Sequence, residues 1–174
     1  MRHAPEGTTK HHVGMADLPD LMLLRHAKAE SGGRDRDHER ELTGKGRKQA
    51  AAVGRWLAEH GARPDLVWCS TAARARQTWE GVASQLPSSV EVVYDRAWYD
   101  ADVDDSVLML RQAPADTRSL MVVGHNPTIE QLAAELMGEG REFPTGALAI
   151  LSCDQPWHDL RSVTGKEFVD PHEL

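Results

Sequence analysis

Apolar residues recur in short runs of strand length separated by longer stretches of helical periodicity, the signature of a layered α/β fold. The runs predict strands over 20–25, 65–69, 90–94, 119–123 and 147–152. Thr43 is placed to cap a helix running to about His60, with Ala51, Val53, Trp56 and Leu57 as its apolar stripe and Gly61 as its stop. That stripe reads as core. Further helices are predicted over 72–86 and 104–112, the latter with Asp104 or Asp105 near its positive N-terminal end. Asn126 followed by Pro127 predicts an N-cap and a proline at the first helical position, opening a helix to about Met137. An edge strand near 160–163 is the remaining candidate, and no internal repeat or low-complexity tract is visible.

Residues 1–19 carry Gly, Pro, Thr and histidines without apolar periodicity, and read as a flexible leader ahead of a single domain over 20–174. Arg2-His3-Ala4 repeats a tripeptide found later, but no strand precedes it to fix its geometry. The adjacent pair His11 and His12 is a weak ligand set, and Met15 is an alternative start.

A chain of 174 residues, 40% apolar and 27% charged, is long enough to bury one real core. The net charge of −7 argues against a general nucleic-acid or membrane-surface role, because such binding leans on a basic field. Any anion handled here needs a local cationic pocket. No apolar run approaches the roughly 18 residues that span a bilayer and no secretory core is present, so a cytoplasmic location is expected. Cys69 and Cys153 lie in apolar runs and read as buried reduced thiols.

The chemistry gathers where strands are predicted to end. The first run ends at Arg25-His26, the second at Cys69-Ser70 before a helix, and the fourth at Gly124-His125 before another. If these strands are parallel, their ends lie along one sheet edge, where Arg25, His26, Arg74 and His125 converge. Two guanidinium groups, an imidazole and helix N-termini around one point suit a dianion, with phosphate the obvious candidate. Arg76, two positions beyond Arg74, points elsewhere and reads as a solvated or ion-pairing charge. Lys28 adds positive field from nearby. Ser70 and Thr78 are candidates for ordering the turn, and Asn126 for capping its helix or contacting phosphate. The mixed charges over 34–41 read as a solvated loop rimming the cleft.

Taken together, LLRHAKAE, the stretch 42–46, Ser70-x-x-x-Arg74-Ala75-x-x-Thr78 and GHNP at 124–127 resemble the histidine phosphatase superfamily, and most of all its short SixA-type branch. The resemblance covers roughly residues 20–152. It implies a phosphoglycerate mutase-like, three-layer α/β/α fold with a mostly parallel central sheet. It also implies that His26 is the nucleophile that takes a phosphoryl group, that Arg25 and Arg74 bind its oxygens, and that His125 completes the pocket. No cofactor and no metal are implied. Phosphoryl transfer needs in-line placement and electrostatic stabilisation of the equatorial oxygens, which a cationic cradle around an imidazole supplies.

Many relatives carry a Glu as proton donor after the third strand, whereas the corresponding stretch here reads Trp98-Tyr99-Asp100-Ala101-Asp102. Asp100 is the candidate acid, with Asp102 as its alternative. A weak or missing acid disfavours alkoxide leaving groups more than imidazole, which tilts the expectation toward protein phosphohistidine. The alternatives are a phosphomonoesterase for a small metabolite and a phosphate-recognition module without turnover. A mutase is disfavoured because the chain is short for the insertions that shape mutase pockets. The expected partner is a phosphorylated protein or a small phosphate ester, not a nucleic acid or a membrane, and the expected state is a monomer or weak dimer.

Overall fold

The computed structural model describes residues 18–174; the candidates His11, His12 and Met15, and the Arg2-His3-Ala4 repeat, lie outside the described residues. Six strands form one sheet: β1 (Asp20–Arg25), β2 (Leu66–Cys69), β3 (Glu91–Tyr94), β4 (Ser119–Gly124), β5 (Leu148–Cys153) and β6 (Val163–Val169), in the order β3-β2-β4-β1-β5-β6. β1, β2, β3 and β4 run parallel, while β5 and β6 join antiparallel beyond β1. The α-helices among the described residues are α1 (Gly44–Glu59), α2 (Ala73–Ala83), α3 (Ala97–Asp100), α4 (Val103–Leu110) and α5 (Thr128–Met137).

The near-continuous apolar run of β1 follows from its central place, since both of its faces are covered. Leu21 and Leu23 point into one cluster with Leu120 and Val122 of β4, Leu110 of α4 and Ile129 and Leu132 of α5. Met22 and Leu24 point the other way, joining Val53 and Leu57 of α1 and Ala75, Trp79 and Val82 of α2. The period-2 alternation of one strand thus feeds two cores, and three layers result.

The register places the chemistry. Arg25 pairs with Gly124 and Cys69 with Val123, so the C-terminal ends of β1, β2 and β4 stand level at one edge. His26 N–H donates to the Gly124 carbonyl and Ser70 N–H to that of Val123, each at 3.0 Å, which carries the pairing one residue beyond the strands.

Several elements depart from the sequence reading. The buried face of α1 comprises Gly46, Gln49, Ala50, Val53, Gly54 and Leu57, whereas Ala51 and Trp56 are only half-buried. The stripe is rotated because α1 and α2 approach through small residues: a Cβ on Gly54 would meet the Val82 carbonyl, and one on Gly81 would meet Ala50. Trp56 stacks on His60 instead, at 4.0 Å between centroids. α2 ends three residues early, α4 starts one residue early with Asp102 as the N-cap accepting from Asp105 N–H, and the short α3 precedes it. The last strand spans Val163–Val169 rather than the neighbourhood of 160–163, where Leu160 instead closes a 3-10 turn. Thr43 does cap α1, accepting from Gly46 N–H at 3.0 Å, and both cysteines are buried free thiols.

Asn126 is a correction. The N-cap position of α5 belongs to Pro127 and Thr128 is its first residue, with no side-chain cap. The Asn126 amide is drawn away, donating to Glu130 Oε2 at 3.0 Å and to the Phe143 carbonyl at 3.2 Å. No helix among the described residues is long and apolar enough to cross a membrane.

Candidate functional site

His26 leaves the end of β1 and is 9% exposed as a residue. Its Nδ1 lies 2.8 Å from the Ala27 carbonyl oxygen, which can only accept, so Nδ1 carries the ring proton and Nε2 holds the lone pair. Arg74 supports that assignment by donating from Nε to His26 Nε2 at 3.3 Å. Burial and the charges of Arg74, Arg25 and Arg40 outweigh the bond to Ala27 and pull the imidazole down to about 4. At neutral pH it is an uncharged ring with its free lone pair facing a cation.

Arg74 sits in the first turn of α2, 5% exposed, because Ser70 and Ala72 bring that helix in at the end of β2. Thr78, one turn on, ties helix to strand: its hydroxyl donates to the Arg74 carbonyl at 2.6 Å and accepts from Ala27 N–H at 2.9 Å. His125 leaves the end of β4 with its ring centroid 5.2 Å from that of His26. The Ser70 hydroxyl accepts from Ala72 N–H at 3.2 Å and lies 2.7 Å from His125 Nε2. With the hydroxyl proton on that bond, Nδ1 carries the ring hydrogen. Nδ1 is buried and has no hydrogen-bond partner among the described residues. Burial and the neighbouring His26 and Arg74 hold His125 down at about 3.

The strand ends therefore bring His26, Arg74 and His125 into one group, with the Arg25 charge acting on His26 from the adjacent position. Arg25 donates from Nη1 to the Phe143 carbonyl at 2.7 Å, while its buried Nε has no partner among the described residues. Asn126 shares that carbonyl and likewise keeps a buried, unpartnered Oδ1. Both line an open cleft of about 780 Å³ with Glu130, Arg141 and Phe168. The unpartnered His125 nitrogen, beside the His26 lone pair and the Arg74 guanidinium, fits an anion whose oxygens satisfy it, while the open Arg25 Nε belongs to the neighbouring cleft it lines with Asn126.

Asp100 does not join the group. It ends α3 and pairs with Arg96 at 3.2 Å, with its side chain 59% exposed. Asp102 is engaged in capping α4. Lys28 contributes through its backbone, its N–H donating to Gln49 Oε1 at 2.9 Å, and its side chain is exposed, as is that of Arg76.

Three residues at the site escaped the sequence reading. Asp37, on the 3-10 turn Arg34–Glu39, accepts from Arg74, Arg40 and the Tyr99 hydroxyl. Tyr99 also sets its ring edge-on to His125 at 5.4 Å and to His38 at 4.8 Å. His38 Nε2 lies 2.8 Å from Thr71 Oγ1. The usable signal was the tyrosine beside Asp100, since consecutive residues of a helical turn face different ways.

Comparison with known proteins gives the family and the fold. The model of the histidine phosphatase superfamily (branch 1) matches residues 21–106. The solved structure of SixA from Nakamurella multipartitia is 34% identical with a TM-score of 0.78, the match covering 88% of this chain and 96% of that one. SixA from Agrobacterium tumefaciens is 32% identical with a TM-score of 0.76, covering 88% and 98%. An uncharacterised protein of Mycobacterium leprae is 31% identical over 151 residues, covering 79% of this chain and 91% of the relative. The fold is the phosphoglycerate mutase-like α/β fold. The chain belongs to the histidine phosphatase superfamily, and within it to the SixA type.

Proposed function

We propose that the protein is a phosphatase that moves a phosphoryl group from protein phosphohistidine to His26 and then to water. The observation that carries this reading is the His26 Nε2 lone pair, set 3.3 Å from Arg74 Nε by the Nδ1 bond to Ala27. In the first step Nε2 attacks phosphorus, the N–P bond to His26 forms, and the bond to the leaving atom breaks with its electron pair going to that atom. In the second step water attacks the same phosphorus, the N–P bond returns its pair to Nε2, and inorganic phosphate leaves. Arg74, Arg25 and the His125 Nδ1–H supply donors to the equatorial oxygens, which carry the charge of a loose transition state.

The leaving group decides the substrate class. Asp100 faces Arg96, and Asp37 is held in its ionised form by the donors around it. A substrate whose leaving group departs without a strong acid from the enzyme fits this site, and an imidazole, which can carry its own proton, is such a group. The likeness to two structures that carry the name phosphohistidine phosphatase supports the same substrate.

The test pairs turnover with trapping. Purified protein is assayed on a phosphohistidine peptide and on p-nitrophenyl phosphate, with His26→Ala as control, and rapid-quench samples are probed for protein-bound radiolabelled phosphate. The expected result is preference for the peptide, loss of roughly a thousandfold or more on His26→Ala, and an acid-labile, base-stable label on His26. Hydrolysis that persists in His26→Ala would overturn the covalent route, and preference for small esters would overturn the substrate.

A further inference from the structure

We infer that Asp37 is a positioning residue, which holds the Arg74 guanidinium in the orientation the phosphoryl pocket uses and is itself held by Tyr99 and Arg40. The inference rests on the phosphatase reading and extends it to two loops that supply no group to phosphorus.

The contacts converge on one side chain. Arg74 donates from Nη1 to the Asp37 main-chain carbonyl at 2.6 Å and from Nη2 to Asp37 Oδ2 at 3.0 Å. With Nε aimed at His26, three of the five guanidinium N–H groups are accounted for, and the two that remain are fixed in direction by the planarity of the fork. A lysine or an untethered arginine would bring charge but not that fixed direction.

Asp37 is gripped in turn. The Tyr99 hydroxyl donates to Oδ2 at 2.8 Å, and Arg40 donates to Oδ1 from Nε at 2.9 Å and from Nη2 at 2.8 Å. Burial opposes the charge on Asp37, but the Tyr99 bond, the Arg40 bond and Arg74 outweigh it and hold the carboxyl well below the usual carboxylate range. The turn is pinned at two further points: His38 meets Thr71, and Arg40 donates from Nη1 to the Glu30 carbonyl at 2.9 Å. Tyr99 brings its ring face to Arg74 as well, with the guanidinium carbon 5.9 Å from the centroid. A helix, a 3-10 turn and a short helix from three parts of the chain thus meet at one carboxylate, and Arg74 is the member of that network that also touches His26.

The test is a double-mutant cycle. Asp37→Ala, Asp37→Asn and Tyr99→Phe are made with Arg74 intact and with Arg74→Ala, each checked for folding by circular dichroism and thermal melting. With Arg74 intact, Asp37→Ala should lower kcat/KM on p-nitrophenyl phosphate by roughly 10- to 100-fold and weaken vanadate inhibition in parallel, the loss expected when one charge-assisted contact disappears. Asp37→Asn and Tyr99→Phe should fall between it and the wild type. In the Arg74→Ala background, Asp37→Ala should change kcat/KM by less than about twofold, because an effect exerted through Arg74 has nothing left to act on. Losses that multiply in the double variant, or a lowered melting temperature with kcat/KM intact, would overturn the inference. Were the wild type to show no turnover at all, the phosphatase reading would fail. The cycle would then be read by calorimetry with inorganic phosphate, where Asp37→Ala must weaken binding only when Arg74 is present.

Discussion

The Ser70 hydroxyl stands 2.7 Å from His125 Nε2, and the opposite ring nitrogen is buried without a partner among the described residues. With its proton on that bond, a serine 55 residues away in sequence leaves the ring hydrogen of a site histidine on Nδ1. Removing the hydroxyl lets the tautomers exchange and leaves Nδ1 without its hydrogen part of the time. Ser70→Ala should therefore lower kcat about tenfold, the scale of one net hydrogen bond. Ring 15N shifts check the cause: Nδ1 should be protonated in the wild type and mixed in Ser70→Ala. An unprotonated Nδ1 in the wild type would remove His125 as a donor.

The two buried imidazoles set the response to acid. The free side chain protonates near 6.5, whereas burial first, and the surrounding cations second, hold His26 at about 4 and His125 at about 3. Between those values the unfolded chain binds more protons than the folded one, so stability falls as pH falls from about 6.5 toward 4 and has no slope from these groups above it. Asp37, whose folded value is depressed, adds to the loss in the same direction at the acid end. At about 1.4 kcal/mol per pKa unit, unfolding free energy should drop by a few kcal/mol from pH 7 to 4. Denaturant titrations at several pH values measure it, with His125→Gln giving a shallower dependence. A wild-type curve flat over that interval would contradict the buried, neutral state of both rings.

How much of this was legible depended on how local the cause was. The run through Leu21 and Leu24 announced β1 because both faces of a central strand are buried, and Arg25, His26, Arg74 and His125 were visible because each stands at or just past the end of a strand at a recognisable spacing. Asp37 was not visible: its partners Arg74 and Tyr99 lie 37 and 62 residues away, and before folding its charge looks like any other in a mixed-sign loop. Asn126 misled for a related reason, since its pairing with Glu130 and Phe143 competes with the cap that Asn-Pro suggests. β6 was misplaced because an edge strand reading Val-Thr-Gly-Lys-Glu-Phe-Val is exposed through most of its length and needs little apolar alternation.

Thr78 offers a test of how the first strand and α2 are joined. Its hydroxyl is fully buried, accepting from Ala27 N–H and donating to the Arg74 carbonyl. Thr78→Val keeps the shape and strands the Ala27 N–H, which should cost about 1–3 kcal/mol of stability. It should also reduce activity, because Ala27 adjoins His26 and its carbonyl sets the His26 tautomer. Thr78→Ser should restore most of both. If chemical denaturation shows Thr78→Val and wild type to be equally stable, the bond is not a structural tie.

Gly46 separates helix propensity from packing, because the two predict opposite signs. It lies in the first turn of α1, where alanine is intrinsically better than glycine by about 1 kcal/mol. A Cβ there, however, would run into the carbonyl oxygen of Lys28, two residues past His26, on the backbone that already accepts from Thr43 N–H at 2.9 Å. Backbone cannot swing aside as a side-chain tip can, so either α1 or the segment behind His26 must move. Overpacking of this kind costs about 1–3 kcal/mol, which outweighs the propensity gain. Gly46→Ala should therefore destabilise the fold and lower kcat/KM by displacing His26. Gly44→Ala is the control: a Cβ at that position meets nothing within 4 Å, so it should be neutral or stabilise by up to about 1 kcal/mol. Equilibrium unfolding of both variants decides the matter, and a Gly46→Ala protein as stable as Gly44→Ala would show that the α1 contact with Lys28 is not as close as the fold requires.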